Sequence, residues 1–588
     1  MSRRVVIVLA LAVIALLAAA PFYATSFTIT LLNYIGIYAL VALGLVLLTG
    51  FGGLTSFGQA AFVGIAAYGT AWLTTAEGAS PWLGLLFALG LTALVAALLG
   101  AVTLRLGGHY LPLGTVAWGL AIFFLFGNFE ALGRHNGLAN VPPIYVGPFS
   151  LEPTDAIYYL IGAVLIAATI LVANLLQSRE GRAIRSLRGG VVMVESLGIS
   201  VFRIRLITFV LAALLAGLSG WLYAHMSRFV SPAPFDLRMG IQYLFMAILG
   251  GSGHILGAVV GAAIITLLEN VLQDVLPLFA RDGQQLEVIV FAVIYVLVLQ
   301  FARGGVMPFV LRYLPRRAEK PIAPAEPLVR RTLPKPGTPL LAVERLVKRF
   351  GGLEAVSGVG FDVSAGQIVG LIGPNGAGKS TVFNLITGAL RGDAGKVIFL
   401  GEDITRANQR RIAAAGIART FQHVKLRAGM SLLDNVLLGT YLRTRSGFLA
   451  GALRLDRGEE ARARFEALRQ LERVGLGSNP NELAGNLPLG RQRILEVARA
   501  LAADPALIIL DEPAAGLSRP EKRALAELLR ALRKEGVTVL LVEHDVEFVM
   551  TLVDRIVVMD FGSKLVEGAP AAIRADPRVQ EAYLGSVA

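Results

Sequence analysis

The chain has 588 residues, 55% hydrophobic and 16% charged, with a net charge of 54 − 41 = +13 and no cysteine. That length exceeds what one core holds, so two or more domains are expected. Without cysteine there are no disulfides, zinc clusters or thiol catalysis. The basic balance would point to nucleic acid in a soluble protein, but here the arginines flank apolar runs. Membrane orientation accounts for them, and no nucleic-acid partner is expected.

The first stretch, SRRVVIVLALAVIALLAAAPFYA, has the two arginines, apolar run and small residues of a secretory signal. Its length and the runs that follow favour a first transmembrane helix over a cleaved signal. A span needs about 20 mostly apolar residues. Runs near 5–23, 31–49, 57–75, 82–104, 111–128, 157–177, 206–224, 240–250, 255–272 and 286–302 qualify, giving about ten transmembrane helices. The pair at 240–272 is interrupted by Gly250, Gly251 and Gly253 and reads as one long span or two short ones. A charge at mid-span costs about 2.5–3.5 kcal/mol, so the scarcity of charge inside these runs favours membrane over a soluble core.

Ten spans put Arg3, Arg4, Arg105, Arg179, Arg182, Arg185, Arg188 and Arg303 on one side and Glu77, Glu130 and Asp155 on the other. Arg134, Arg228 and Arg238 are exceptions to this inside-positive bias. Dense Gly and Ala at Gly50–Gly69 and Gly257–Ala263 fit close helix packing. Gly50–Gly53 and Gly250–Gly253 also admit a helix break lining a substrate path. Between two spans, SREGRAIRSLRGGVVMVESLGISVFRIRL (178–206) reads as a solvated basic loop or as a short helix that transmits motion, with Glu195 and Gly198 at its turn.

Residues 315–339 hold seven prolines. At about 3.1 Å per residue such a linker could reach roughly 75 Å. It separates a transmembrane domain, 1–314, from a soluble domain, 340–588.

The soluble part opens with GQIVGLIGPNGAGKST. An apolar strand, a Gly-x4-Gly-Lys-Ser loop and a helix follow one another, the setting a phosphate loop requires. Gly373, Pro374, Asn375, Gly376, Ala377, Gly378, Lys379, Ser380 and Thr381 form it. Its glycines let backbone N–H groups curl around phosphates, Lys379 adds a point charge, and the Ser380 hydroxyl can hold Mg2+. ALIILDEP is an apolar strand ending in two carboxylates. Asp511 is placed for magnesium and Glu512 to polarise the attacking water. His544 ends a further apolar strand, where a γ-phosphate sensor would sit.

These motifs, with NELAGNLPLGRQRILEVARAL (481–501) ahead of the carboxylate strand, resemble an ABC ATPase. LVKRFGGLEAVSGVGF resembles its adenine-stacking loop, which implies that Phe350 stacks on the base. GIARTFQHVKL resembles its glutamine loop, which implies that Gln422 reaches magnesium and water. AAGLS occupies the D-loop position. The signature segment has Pro488 where a serine is usual. The resemblance implies that Leu487, Gly490 and Gln492 cover a partner's nucleotide.

RTFQ, LPLGRQRILEVARAL, DEPAAGL, VMDFGSKLVEGAP and EAYLG are similar to the ATP-binding subunit of branched-chain amino acid importers. LLTGFGGLTSFGQAAFVGIAAY, ESLGIS, AALLAGLSGWLYAH and AILGGSGHILGAVVGAA are similar to the second permease of those systems. The implied protein is a polytopic α-helical membrane domain followed by an α/β P-loop ABC ATPase. It uses ATP and Mg2+ to import a small-molecule substrate across the bacterial cytoplasmic (inner) membrane, with the ATPase in the cytoplasm. The resemblance further implies a second permease and second ATPase, as separate chains or another copy of this one, and a periplasmic or lipid-anchored solute-binding protein. It assigns Glu195 and Gly198 to a coupling loop. ALGRHNGL (131–138) departs from the family's glycine-rich Thr-Gly-Gly-x-Asn-Gly stretch, which keeps urea, amides and other small polar solutes open as substrates. Short loops argue against an exporter, and so many spans against a non-transport ATPase using its membrane half as an anchor.

Overall fold

Apolar runs headed by a hydroxyl or carboxylate become helices, because the head residue caps free backbone N–H groups. In the computed structural model Thr25, Ser80 and Asp236 accept from Thr28 N, Leu83 N and Met239 N at 3.2, 3.3 and 2.8 Å. Residues 3–105, 110–275, 283–301, 304–313 and 321–584 are described. They fall into two units, 1–177 with 202–318, and 178–201 with 319–588. The stretch 178–201 thus groups with the soluble half and not with the spans that flank it.

The first unit is helical: α1 (Arg3–Tyr23), α2 (Ser26–Leu45), α3 (Gln59–Ala76), α4 (Pro81–Thr103), α5 (Tyr110–Asn128) and α6 (Thr154–Gln177). After α7 (Arg179–Ser186) and α8 (Val191–Ser196) of the second unit come α9 (Val201–Ser227), α10 (Leu237–Gly251), α11 (Gly257–Val275), α12 (Gly283–Phe301) and α13 (Met307–Arg312). Two-residue strands β1 (Leu138–Ala139), β2 (Tyr145–Val146), β3 (Phe149–Ser150) and β4 (Phe229–Val230) pair antiparallel as β1–β4 and β2–β3.

Each of the ten expected spans has a helix, but among the described residues only six are long and apolar enough to cross a membrane: 26–51, 81–103, 110–128, 154–177, 201–227 and 257–275. α3 falls short in apolarity because it carries Gln59, Thr70 and Thr74, all buried in the bundle, and the exposed Thr75. α10 has only 15 residues. α1 and α12 hold shorter apolar stretches at 12–23 and 289–298. The 240–272 region resolves as two helices, turning at 252–256. A Cβ on Gly250 or Gly261 would lie 1.7 Å from Gly257 O or 1.8 Å from Met246 O, so glycine alone permits this approach. Arg134 sits in the exposed 130–136 turn beside Glu130, at 3.4 Å. Arg303 lies outside the described residues.

The second unit is α/β. β5 (Pro339–Phe350) and β6 (Leu353–Ser364) form a hairpin, followed by β7 (Ile368–Ile372), α14 (Lys379–Ile386), β8 (Ala394–Phe399), β9 (Glu402–Asp403), α15 (Gln409–Ala415) and β10 (Ile417–Arg419). A helical region holds α16 (Leu432–Leu437), α17 (Phe448–Ala452), α18 (Arg457–Arg473) and α19 (Leu489–Ala502). Then come β11 (Leu507–Asp511), α20 (Arg519–Lys534), β12 (Thr538–Val542), α21 (Val546–Leu552), β13 (Arg555–Asp560), β14 (Ser563–Gly568), α22 (Pro570–Ala575) and α23 (Pro577–Leu584). One sheet runs β10-β11-β12-β7-β13-β14, parallel except for β14, and the other β6-β5-β8-β9, antiparallel. β7, β11 and β12 are buried along their whole length, as parallel strands covered on both faces must be.

The proline-rich segment is not a free spacer where it is described, 321–338. It forms no helix or strand, yet Leu328 is buried with Leu432, Val436 and Leu471 of the helical region. Arg331 donates from its backbone to Asp504 and from its guanidinium to Ala414 O and Ala415 O at 2.9 and 2.8 Å.

Candidate nucleotide site and the α7–α8 contact

The phosphate loop leaves β7 at its carboxyl end and enters α14. Gly373, Gly376 and Gly378 have φ of 151°, 86° and 90°. A Cβ on Gly373 would lie 2.1 Å from Met559 O, and one on Gly378 2.4 Å from Ala355 O, so both positive φ and close packing demand glycine. Lys379 is buried, its Nζ donating to Gly373 O and Pro374 O at 2.8 and 2.7 Å. Burial lowers its pKa against the pull of Glu512 and Asp511. Asn375, Gly376 and Ser380 are exposed, Ala377 is buried and Thr381 half-buried.

Asp511 ends β11. Burial pushes its carboxyl up to about 6, opposed by Arg419 and reinforced by Glu512. Its Oδ1 is buried without a hydrogen-bond partner, and its backbone N donates to Thr420 Oγ1 at 3.2 Å. Glu512 follows with φ 48° and receives Gln422 Nε2 on its Oε1 at 3.1 Å. His544 Nδ1 stands 3.9 Å from Glu512 Oε2 and 3.7 Å from Glu543 Oε2. The structure therefore gathers Gln422, Glu512 and His544 from three different loops. Phe350 is 47% exposed at the β5–β6 turn, beneath the Lys348 ammonium at 5.5 Å, so it is not a core residue.

The signature segment is held differently. Leu487 is buried and Gly490 packs under Leu517. Gln492 donates its side-chain N–H back to Leu487 O at 2.8 Å, so this amide caps its own loop in the isolated chain. Sequence reasoning missed Arg493, which donates to Glu512 O at 2.6 Å and ties α19 to the carboxylate pair. It also missed Glu543, fully buried, which accepts from Ala514 N at 2.6 Å and fixes the D-loop position.

α7 packs on the helical region and α8 against α15. Arg182, 2% exposed, meets Glu460 of α18 with both guanidinium nitrogens, at 2.6 and 2.8 Å. Arg185 donates to Asp434 Oδ2 at 3.0 Å, and Arg179 lies 3.6 Å over the Tyr441 ring and donates to Tyr441 O at 3.0 Å. Gly198, at φ 82°, lies against Leu442, where a Cβ would come within 2.4 Å of the side chain. Glu195 lies in the last turn of α8, half-buried. The arginines were visible in sequence, but the inside-positive bias accounted for them and hid their pairing.

A phosphate loop and a carboxylate-ended strand in a parallel sheet, on a chain with a helical membrane unit, define a membrane-embedded nucleotide-driven machine. Residues 27–299 match the family described as "Branched-chain amino acid transport system / permease component", 356–515 "ABC transporter", and 563–588 "Branched-chain amino acid ATP-binding cassette transporter". The high-affinity branched-chain amino acid transport ATP-binding protein LivG of Escherichia coli K12 is 42% identical over 250 residues, 42% of this chain and 98% of that protein. Its counterpart BraF of Pseudomonas aeruginosa is 44% identical over 250 residues, with the same coverage. A solved nucleotide-free ATP-binding cassette from an ABC transporter is 33% identical, covering 42% of this chain and all of that one, at a TM-score of 0.38. The chain belongs to the branched-chain amino acid ABC transporter family, as an integral membrane permease continued by an ATP-hydrolysing cassette.

Proposed function

We propose that the chain supplies one permease and one ATPase of an importer for leucine, isoleucine and valine in the bacterial inner membrane, with its cassette in the cytoplasm. The observation that carries this is the agreement of the two halves: the permease match over 27–299 and the cassette matches name one transport system. A second permease, a second ATPase and a periplasmic or lipid-anchored solute-binding protein complete it.

Ser380 and Asp511 would hold Mg2+, with Gln422 beside them; the orphaned, buried Asp511 Oδ1 fits a cation ligand. Bound, the ion neutralises phosphate charge. Phe350 offers a face to adenine, and the Gly373–Thr381 backbone and Lys379 hold the phosphates. Glu512 accepts the proton of the attacking water, and His544, 3.9 Å from Glu512 Oε2, senses the γ-phosphate. Leu487, Gly490 and Gln492 cover the nucleotide of the partner ATPase, which requires the Gln492 amide to leave Leu487 O. α7 and α8, with Glu195 and Gly198, carry cassette motion to the permease.

The reconstituted complex, with its binding protein, tests the substrate. ATPase stimulation by leucine, isoleucine or valine and none by urea or acetamide is expected. Stimulation by urea or acetamide alone would reject the substrate.

A further inference from the structure

α2 does not stop cleanly. Its continuation, Val46–Phe51, winds as a π-helix, and the chain runs irregularly to Gly58 before α3 begins. This interruption lies inside the bundle. A Cβ on Gly50 would sit 1.8 Å from Ser252 O, and one on Gly240 2.3 Å from Phe57 O, so the stretch lies against α10 at both places. Gly58 packs on Thr115 and Gly119, and Gly119 is the midpoint of α5.

Most polar groups nearby are satisfied. Thr49 Oγ1 donates to Leu54 O at 3.0 Å, Phe57 N to Thr115 Oγ1 at 3.1 Å, and His225 is paired with Thr70 Oγ1 and Pro142 O at 3.1 and 2.7 Å. Elsewhere in this unit Tyr68 Oη, Thr92 Oγ1, Ser219 Oγ and Thr266 Oγ1 are unpartnered, and two side chains at the interruption itself join them. Ser56 and Gln59 are both 0% exposed, and Ser56 Oγ, Gln59 Oε1 and Gln59 Nε2 find no partner in the protein. Unpaired polar atoms are most costly within a bilayer-embedded bundle, where water cannot readily compensate them. Gly58, the residue before α3, caps no backbone N–H with a side chain, so the free N–H groups and positive end of an 18-residue helix lie beside these two residues.

We propose that Ser56 and Gln59, with the N-terminal turn of α3, form the polar subsite that the solute occupies on its way through the permease. An amide and a hydroxyl each both donate and accept, and neither carries charge. They match a head group that is neutral overall yet holds donor and acceptor together. The helix N-terminus selects the carboxylate of an amino-acid zwitterion, and Gln59 Oε1 accepts from its ammonium. This rests on the importer reading and assigns it a site; urea and amides share the donor–acceptor chemistry without the carboxylate.

The test uses the full complex with its binding protein in proteoliposomes, comparing Gln59→Leu, Gln59→Asn and Ser56→Ala. Leucine uptake at least tenfold below wild type for Gln59→Leu and Ser56→Ala, partly regained in Gln59→Asn, with solute-independent ATPase within twofold, is expected. The Tm of solubilised Gln59→Leu should equal or exceed wild type, since an orphaned amide is removed. Uptake within twofold of wild type overturns the subsite. A Tm lower by several degrees, or failure to fold, also overturns it by making Gln59 a structural residue. A wild type that carries urea or acetamide and not leucine, and loses that uptake in Gln59→Leu, rejects the amino-acid substrate and keeps the subsite.

Discussion

Arg182 of α7 and Glu460 of α18 form a two-pronged ion pair, 278 residues apart in sequence, with the guanidinium almost wholly buried. Burial opposes the charge on Arg182, and Glu460 outweighs it, so the guanidinium pKa is raised. A planar fork meeting both carboxylate oxygens fixes orientation as well as distance. Removing Arg182 costs Glu460 its two-pronged partner, with Arg464 still at 3.0 Å. The pair is therefore suited to carry force without sliding.

Arg182→Ala should cost about 3 kcal/mol of packing of α7 on the helical region, or less because Arg464 remains 3.0 Å from Glu460. Uptake should fall at least tenfold while ATP hydrolysis continues. The reversed pair, Arg182→Glu with Glu460→Arg, should regain part of the uptake. Solute transported per ATP hydrolysed is the measurement, and a ratio unchanged in Arg182→Ala would remove the pair from coupling. Gly198→Ala, strained at φ 82° and pressed on Leu442, should lower the same ratio.

With Asp511 as the proposed cation ligand, nucleotide turnover should be sensitive to acid. Its carboxyl is pushed up to about 6, and only the ionised form serves as a cation ligand. The Mg2+ concentration for half-maximal ATPase activity should be flat above pH 7 and rise about tenfold per unit below pH 6. Stability carries the opposite dependence. A carboxyl raised on folding contributes most below its unfolded value near 4, and the contribution is lost as pH rises through about 6. Asp511→Asn should thus raise the nucleotide-free Tm at pH 8 and change it little at pH 4.

Pro488 caps α19 without a side-chain hydrogen bond, at φ −56° and ψ 150°. A serine fits that backbone and can accept from the first turn, so Pro488→Ser should stabilise the chain by about 1 kcal/mol. ATPase activity of the assembled complex should stay within twofold. A larger rise would show that the missing hydroxyl limits turnover, and a larger fall would equally contradict a neutral Pro488.

Much of the nucleotide site was legible because its chemistry is local. A buried strand ending at Asp511 and Glu512, or running into Gly373–Ser380, is visible as an apolar run beside polar or glycine residues. What was not legible depends on distant pairing. Arg182 reads as one of four orienting arginines until Glu460 is beside it. Gln492 reads as a ligand in sequence, and only the fold shows its amide turned back to Leu487 O in the isolated chain. The prolines of 321–338 read as a spacer because sequence does not show Leu328 buried or Arg331 fastened to Asp504 and α15. Among the described residues the count of apolar spans fell to six: α10 is only 15 residues long, α1 and α12 hold shorter apolar stretches, and α3 buries polar residues in the bundle.

Gln422 already sits 3.1 Å from Glu512 Oε1, while His544 faces the other carboxylate oxygen at 3.9 Å. Replacing Glu512 by Gln keeps shape and hydrogen bonding and removes the base, so ATP should still bind while turnover drops at least a hundredfold.

The most direct measurement is uptake of labelled leucine by proteoliposomes of the full complex, driven by ATP and supplied with the binding protein, comparing wild type with Glu512→Gln. The account predicts ATP-dependent accumulation in wild type and none above background in the variant, with ATP bound in both. Accumulation by Glu512→Gln at near the wild-type rate would contradict it.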